Sequence, residues 1–159
     1  MSKTVGAFVV PAGEGRTVRG PAGGPTTIKA DTAATAGSFA LLEVEVGPHQ
    51  GPPLHLHQRE DEMWFVLEGR FRFIADGEIL LADRGDFVFV PRMTEHCFQN
   101  IGDAPGRVLV MFAPSGMERF FEEHAALPPG PADGAAYLEI ARRNWMEVAG
   151  PTLGESHPL

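Results

Sequence analysis

Apolar and polar positions alternate through residues 38–46, with Leu42, Val44 and Val46 on one face and Glu43 and Glu45 on the other. That period of two is the pattern of a half-buried strand. Residues 63–67 form a dense apolar run that stops before Gly69. Alternation resumes over residues 70–74, where Phe71 and Phe73 share a face and Arg70 and Arg72 point away from it. Asp76-Gly77 is a hairpin signal, and residues 78–82 read as the returning strand. Residues 86–90, 96–101 and 107–112 bring the set to roughly eight short strands separated by turn residues. The expectation is an all-β fold, a sandwich or barrel of the jelly-roll kind.

The flanks follow other patterns. Residues 11–25 are dense in Gly and Pro and read as an irregular N-terminal arm, and residues 128–134 read as a linker. Residues 117–127, with Phe120 and Phe121, and residues 134–148, with Leu138, Ala141, Trp145 and Val148 three and four apart, predict two amphipathic C-terminal helices. The expected organisation is one domain over residues 1–159: an arm at 1–25, a barrel core at about 26–114 and a helical tail at 116–159. Phe120, Phe121, Leu138 and Trp145 give the tail more apolar surface than a small barrel needs, which predicts a homodimer.

Composition narrows the function classes. The chain has 159 residues, 43% hydrophobic and 21% charged, as in an ordinary globular domain with its own core. Its 19 glycines and 14 prolines, scattered between short apolar runs, suit strands and turns better than a helical bundle. A net charge of −8 without any basic run argues against nucleic acid and anionic membranes as partners. Cys97 is the only cysteine, so no internal disulfide forms and a reducing compartment is expected. The apolar stretch at residues 6–10 ends at Pro11, too short for a signal segment, and the expected location is cytoplasmic.

Chemistry concentrates at His55-Leu56-His57, introduced by Pro52-Pro53. On a strand, residues i and i+2 face the same side, so both imidazoles converge. Glu62 follows a four-residue turn and shares parity with Trp64 and Val66, and His96 lies downstream. Imidazoles with one carboxylate suit a divalent transition metal: Fe, Mn, Ni, Co, Cu or Zn. Elsewhere, His49 reads as a solvated loop histidine, Glu60 and Asp61 as surface charges, Cys97 as a small buried apolar residue, and His124 and His157 as exposed.

This arrangement resembles the cupin superfamily. In the first cupin motif, H-x-H is followed by Glu and then Gly; here these are His55, His57, Glu62 and Gly69. The second runs Gly, Pro, His, Asn; here these are Gly85, Pro91, His96 and Asn100. Two expected glycines are replaced, by His49 and Met93, and neither position is a ligand. The resemblance implies a double-stranded β-helix with the metal held by His55, His57, Glu62 and His96.

Among cupins the chain looks most similar to small bacterial quercetin 2,3-dioxygenase-like proteins, through residues 59–62, 85–91, 117–123 and 145–153. That resemblance implies a metal-dependent dioxygenase in which Glu62 takes a proton from a flavonol-type hydroxyl and O₂ cleaves the ring. Trp64, Phe71, Phe73, Phe98 and Phe112 are residues that either line a substrate cavity or fill the core, and Met93 stands where it would lean over the mouth. Two other readings remain open: a metal-dependent isomerase or cyclase of polyketide type working without O₂, and a ligand-binding cupin without catalysis.

Overall fold

The computed structural model describes residues 5–131 and 134–159. The arm and the linker therefore fall partly outside the described residues, at residues 1–4 and 132–133. In chain order the first strands are β1 (Arg16–Arg19), β2 (Gly23–Ala30), β3 (Ala40–Val46), β4 (Pro53–His57), β5 (Asp61–Glu68) and β6 (Arg70–Ala75). They continue with β7 (Glu78–Asp83), β8 (Phe87–Val90), β9 (His96–Asn100), β10 (Gly106–Ala113) and β11 (Met146–Thr152). Among the described residues four helices are interspersed: α1 (Thr32–Thr35), α2 (Glu118–Ala125), α3 (Ala135–Arg143) and α4 (Leu153–Ser156). The strands form a six-stranded sheet, β1-β2-β3-β10-β5-β8, and a five-stranded sheet, β11-β4-β9-β6-β7. Every pairing is antiparallel. This is the jelly roll that the alternating pattern predicts, in the double-stranded β-helix form that the resemblance implies.

The inward positions are the ones the period of two selects. Leu42, Val44, Val46, Val66, Val108 and Val110 are buried on the six-stranded sheet, and Phe71, Phe73 and Phe98 on the other. Trp64 joins them edge-on, its ring 5.2 Å from Phe73 and 6.1 Å from Phe98. Asp76 and Gly77 carry φ of 50° and 78° between β6 and β7. Two successive positive values make the tight hairpin whose twist matches the flanking strands.

Three expectations change. The Gly/Pro-rich arm is not irregular throughout: β1 and the start of β2 lie inside it and pair as a hairpin on the edge of the six-stranded sheet. Its β-branched residues carry the pairing, with Thr17 and Thr27 hydroxyls 2.8 Å apart. The helix expected over residues 134–148 ends at Arg143; Trp145 takes φ of 59°, and the chain leaves as β11 to pair with β4. Val148 satisfied the helical spacing yet sits opposite His55 on a strand. Arg72, expected to face solvent, is buried: it donates to Gln99 Oε1 at 2.8 Å and to carbonyls of Leu153 and His157 in the C-terminal segment.

The helix α2 packs on the barrel and against α3. Phe120 and Phe121 on α2 are buried in their own chain, against Tyr137 of α3 at 5.4 Å and Phe112 of β10 at 6.1 Å. Each buried Phe contributes roughly 1.5–3 kcal/mol of burial free energy. Leu138 and Trp145 stay exposed. Among the described residues no helix is long and apolar enough to cross a membrane.

Candidate metal centre

Strand parity places the four side chains. On β4, burial alternates so that Pro53, His55 and His57 face inward. On β5, Glu62 faces inward with Trp64 and Val66. His96 opens β9 and is paired directly with His55 of β4, whereas Glu62 sits between Phe112 of β10 and Val90 of β8. Three imidazoles of one sheet therefore look across the barrel at one carboxylate of the other. The approach to β4 depends on Gly51: a Cβ there would lie 1.8 Å from the carbonyl oxygen of Phe98, so only glycine lets the chain run so close to β9.

One donor atom from each of His55, His57, Glu62 and His96 lies within 4.8 Å of every other, and all four residues are buried. His55 Nδ1 lies 2.7 Å from the Pro53 carbonyl and His96 Nδ1 lies 2.8 Å from that of Thr94. As these carbonyls can only accept, both Nδ1 atoms carry a proton and both Nε2 atoms turn inward. His96 Nε2 is 2.8 Å from Glu62 Oε2, and His55 Nε2 is 4.0 Å from the same oxygen. His57 Nε2 also approaches Oε2 to 2.8 Å but makes no hydrogen bond, a buried nitrogen left without a partner. Nδ1 of the same ring is likewise unpartnered, and a buried imidazole so left, beside two pinned imidazoles and a carboxylate, fits a mixed N/O site for a divalent transition metal.

Burial, helped by the neighbouring His96 and His57, holds the His55 imidazole down to about 3, so the ring is neutral and free to ligate. Burial alone would raise Glu62, but the charge of His57 and the contacts from His57 and His96 outweigh it and hold the carboxyl below its usual range. His96 goes the other way: burial pulls it down, and the hydrogen bond and charge of Glu62 more than compensate. The electrostatics favour an ionised Glu62 and a neutral His55, the forms that metals bind.

Beside these ligands lies a cavity of about 50 Å³, walled by His55, His57, Glu62, Phe98, Phe112 and apolar residues of the flanks. Of the aromatic residues singled out from the sequence, Phe98 and Phe112 reach it, whereas Trp64, Phe71 and Phe73 do not. Those three are core: Trp64 packs edge-on against the His96 ring at 5.5 Å and so supports the centre from behind. Met93 is 61% exposed and does not line the cavity. The walls the strand pattern missed are Met117, Phe120, Phe121 and Tyr137 of the helical segment and Ala22 of the arm. The amphipathic period of residues 117–127 was the available signal.

The two departures from the cupin glycines resolve simply. His49 and Met93 adopt φ of 59° and 67°, the conformation a glycine would take there. The turn before β9 is kept, with the Met93 amide donating to the His57 carbonyl at 2.8 Å. His49 is exposed and contacts Asp103 at 3.1 Å. Asp61 is half-buried, its carboxylate paired with Arg92 at 3.0 Å. Glu60, expected on the surface, is buried. Cys97 is buried as expected, His157 is exposed, and His124 is half-buried rather than exposed, against Phe120 and Tyr137.

Residues 42–112 match the model of the cupin domain, and the jelly roll around the His/His/Glu/His cluster is a double-stranded β-helix. Over 83 residues, 51% of this chain and 51% of the relative, the sequence is 32% identical to polyketide synthase CurC of Streptomyces cyaneus. Over 73 residues, 46% of this chain and 22% of the relative, it is 30% identical to quercetin 2,3-dioxygenase of Bacillus subtilis. The chain spans about half or less of the length of the curated relatives it matches. Among solved structures, an RmlC-like cupin from Shewanella frigidimarina superposes with a TM-score of 0.60 at 17% identity, covering 73% of this chain and 99% of that one. That likeness is one of fold alone.

Proposed function

We propose that the protein is a metal-dependent oxygenase, quercetin dioxygenase-like, acting on a small aromatic or enolic hydroxyl compound. The observation that carries this reading is the convergence of three imidazole Nε2 atoms on Glu62 Oε2 beside an otherwise apolar cavity. His55, His57, Glu62 and His96 would hold one divalent ion of Fe, Mn, Ni, Co, Cu or Zn. Such an ion would supply Lewis acidity toward a substrate oxygen and an open position for O₂.

The chain's own residues do the rest. Glu62, the one carboxylate in the cluster, takes the proton of the substrate hydroxyl. Phe98 and Phe112 exclude water and favour a flat, weakly polar substrate. About 50 Å³ holds little more than a water molecule, far below the roughly 300–1,000 Å³ of organic-ligand sites. Substrate entry therefore requires the Met117, Phe120, Phe121 and Tyr137 wall to move.

A second reading, polyketide-type isomerisation or cyclisation without O₂, is favoured by the match to half the length of CurC. Oxygen uptake decides between them. Metal-loaded protein is given a flavonol and a simpler phenolic enol, in air and under strict anaerobiosis. Oxygen consumption with product supports the oxygenase; product at an undiminished rate without O₂ overturns it in favour of the cyclase. Thermal stabilisation by ligand with no product under either atmosphere leaves a binding protein.

A further inference from the structure

Two of the three clustered imidazoles share one device, and the third lacks it. His55 Nδ1 and His96 Nδ1 each donate to the carbonyl two residues upstream, Pro53 at 2.7 Å and Thr94 at 2.8 Å. The same step from His57 leads to the His55 carbonyl, yet His57 Nδ1 is buried with no hydrogen-bond partner among the described residues. Its ring stands edge-on to Phe112 at 5.3 Å, and Phe112 offers no oxygen to accept a proton. A ring that ligates through Nε2 keeps its proton on Nδ1, and that N–H has to be held if the ring is to keep its tautomer and orientation.

The matching acceptor is Glu60. Burial alternates from Glu60 through Glu62, Trp64 and Val66, so Glu60 shares the inward face of β5 although it precedes the strand. It is 2% exposed. Its Oε1 faces the backbone at Gly116, where an added Cβ would come within 3.5 Å, and its Oε2 is buried without a donor among the described residues. Burial raises the Glu60 carboxyl, and of the charges that pull it back His57 comes first, ahead of Arg59 and Arg92. Glu118, the other buried carboxylate outside the cluster, is already engaged by the amides of Thr32 and Gly116, each at 2.8 Å. Glu62 Oε2 lies 2.8 Å from Nε2 of His57, which leaves Glu60 as the carboxylate for the ring's other nitrogen.

We infer that Glu60 is a positioning residue of the metal centre, its Oε2 taking up the Nδ1–H of His57 through one buried water. The two atoms lie beyond direct hydrogen-bonding reach, and a buried water between otherwise unpaired polar groups is the ordinary link at such a distance. Glu60 is neither one of the four clustered ligands nor a wall of the cavity beside them, so it acts on the centre only through His57. An anionic partner makes an imidazole a more basic ligand than a carbonyl partner does. His57 is then the strongest nitrogen donor of the three. This role rests on the four-residue metal centre proposed above and is independent of which reaction the centre performs.

The metal-free full chain is titrated with Co(II) and with Zn(II) in competition with a chromophoric chelator. Glu60→Leu, in protein whose Tm shows it folded, should weaken both ions by about tenfold or more, the usual worth of a group that supports a ligand. Glu60→Gln keeps an acceptor oxygen without the charge and should fall between Glu60→Leu and the unaltered chain. Coupling separates positioning from general structure: in a His57→Ala background the same Glu60 change should cost less than about twofold, because the ring it serves is gone. Where Glu60→Leu does not fold, Glu60→Gln carries both comparisons. Nitrogen-resolved imidazole NMR of the Zn(II)-loaded protein gives the direct signature. The Nδ1–H resonance that is missing from His57→Ala should move upfield in Glu60→Gln, while those of His55 and His96 stay in place. Unchanged affinity in the Glu60 variants, an equal loss in the His57→Ala background, or an unmoved His57 resonance overturns the role of Glu60 and leaves the metal centre standing. No binding of either ion by the unaltered chain overturns the metal centre, and the role of Glu60 with it.

Discussion

Phe65 of β5 and Phe87 of β8 stand directly opposite each other on the outer face of the six-stranded sheet, 42% and 62% exposed. Phe89, 52% exposed, continues the patch beside Met63. Side-by-side exposed aromatic rings on a sheet face are a surface that a monomer rarely leaves open. The homodimer expected from the C-terminal helices has no support there, since Phe120 and Phe121 are spent on the chain's own cavity. We expect a homodimer through the β5–β8 face. Light scattering at micromolar concentration should give twice the mass of one chain for the natural protein and the mass of one chain for Phe87→Glu; a monomeric natural protein contradicts it.

Metal analysis of purified protein should find close to one equivalent of a first-row divalent ion per chain. His57→Ala and His96→Ala each remove one of four ligands, and each should lower metal affinity by about a hundredfold or more, as even supporting groups around such sites are worth about 10–100-fold. Full occupancy in the double variant contradicts the assignment.

Glu62→Gln keeps the shape of the side chain but removes its charge and basicity. Turnover should fall by about 10²-fold or more, the usual worth of a placed general base. Metal content should fall less, since three imidazoles remain. Normal turnover in this variant removes Glu62 from the proton transfer, whatever its effect on the metal.

Met93→Gly should raise stability. Met93 holds φ of 67° with its side chain in solvent, a conformation that costs a side-chain-bearing residue about 1–2 kcal/mol. The extra freedom of an unfolded glycine returns about 0.4–1 kcal/mol of this. The net gain of about 0.5–1 kcal/mol corresponds to a Tm increase of about 1–4 °C in a chain of this size, readable by calorimetry.

Cys97 should be inert in the folded protein. Burial pushes its thiol up to about 12, so at pH 8 only about one molecule in 10⁴ carries the thiolate that reacts. An aromatic disulfide reagent should label no thiol under native conditions and one per chain in guanidinium chloride. Rapid native labelling shows that the strand opens.

The barrel was legible because its central strands obey one rule: inward residues of β3 and β10 are apolar at every second position, so the pattern and the burial coincide. The ligands were legible for the same reason, parity placing His55 with His57 and Glu62 with Trp64. Two elements escaped because their signals were local and mixed. In β1 and β2 the β-branched residues Thr17, Val18, Thr26 and Ile28 are interleaved with glycines and prolines that read as loop. In the tail, Trp145 and Val148 keep helical spacing from Ala141, and the only mark of the break is Asn144, a residue that favours helix ends. The cavity wall escaped for a different reason: which face of α2 meets the barrel is set by where the chain crosses it, and strand periodicity carries no information on that.

β11 gives the centre a dependence on chain order. Met146 and Val148 lie opposite His57 and His55, so β11 is the outer neighbour of the strand that bears two of the four ligand side chains. During synthesis, β4 emerges with its partner β11 still about ninety residues from being made, at roughly 5–20 residues per second. For several seconds the strand carrying His55 and His57 is an open edge, available to other edges. A chain interrupted at Asn144 would keep all four ligand residues and still expose that edge, so its fate should be aggregation rather than a weakened metal site.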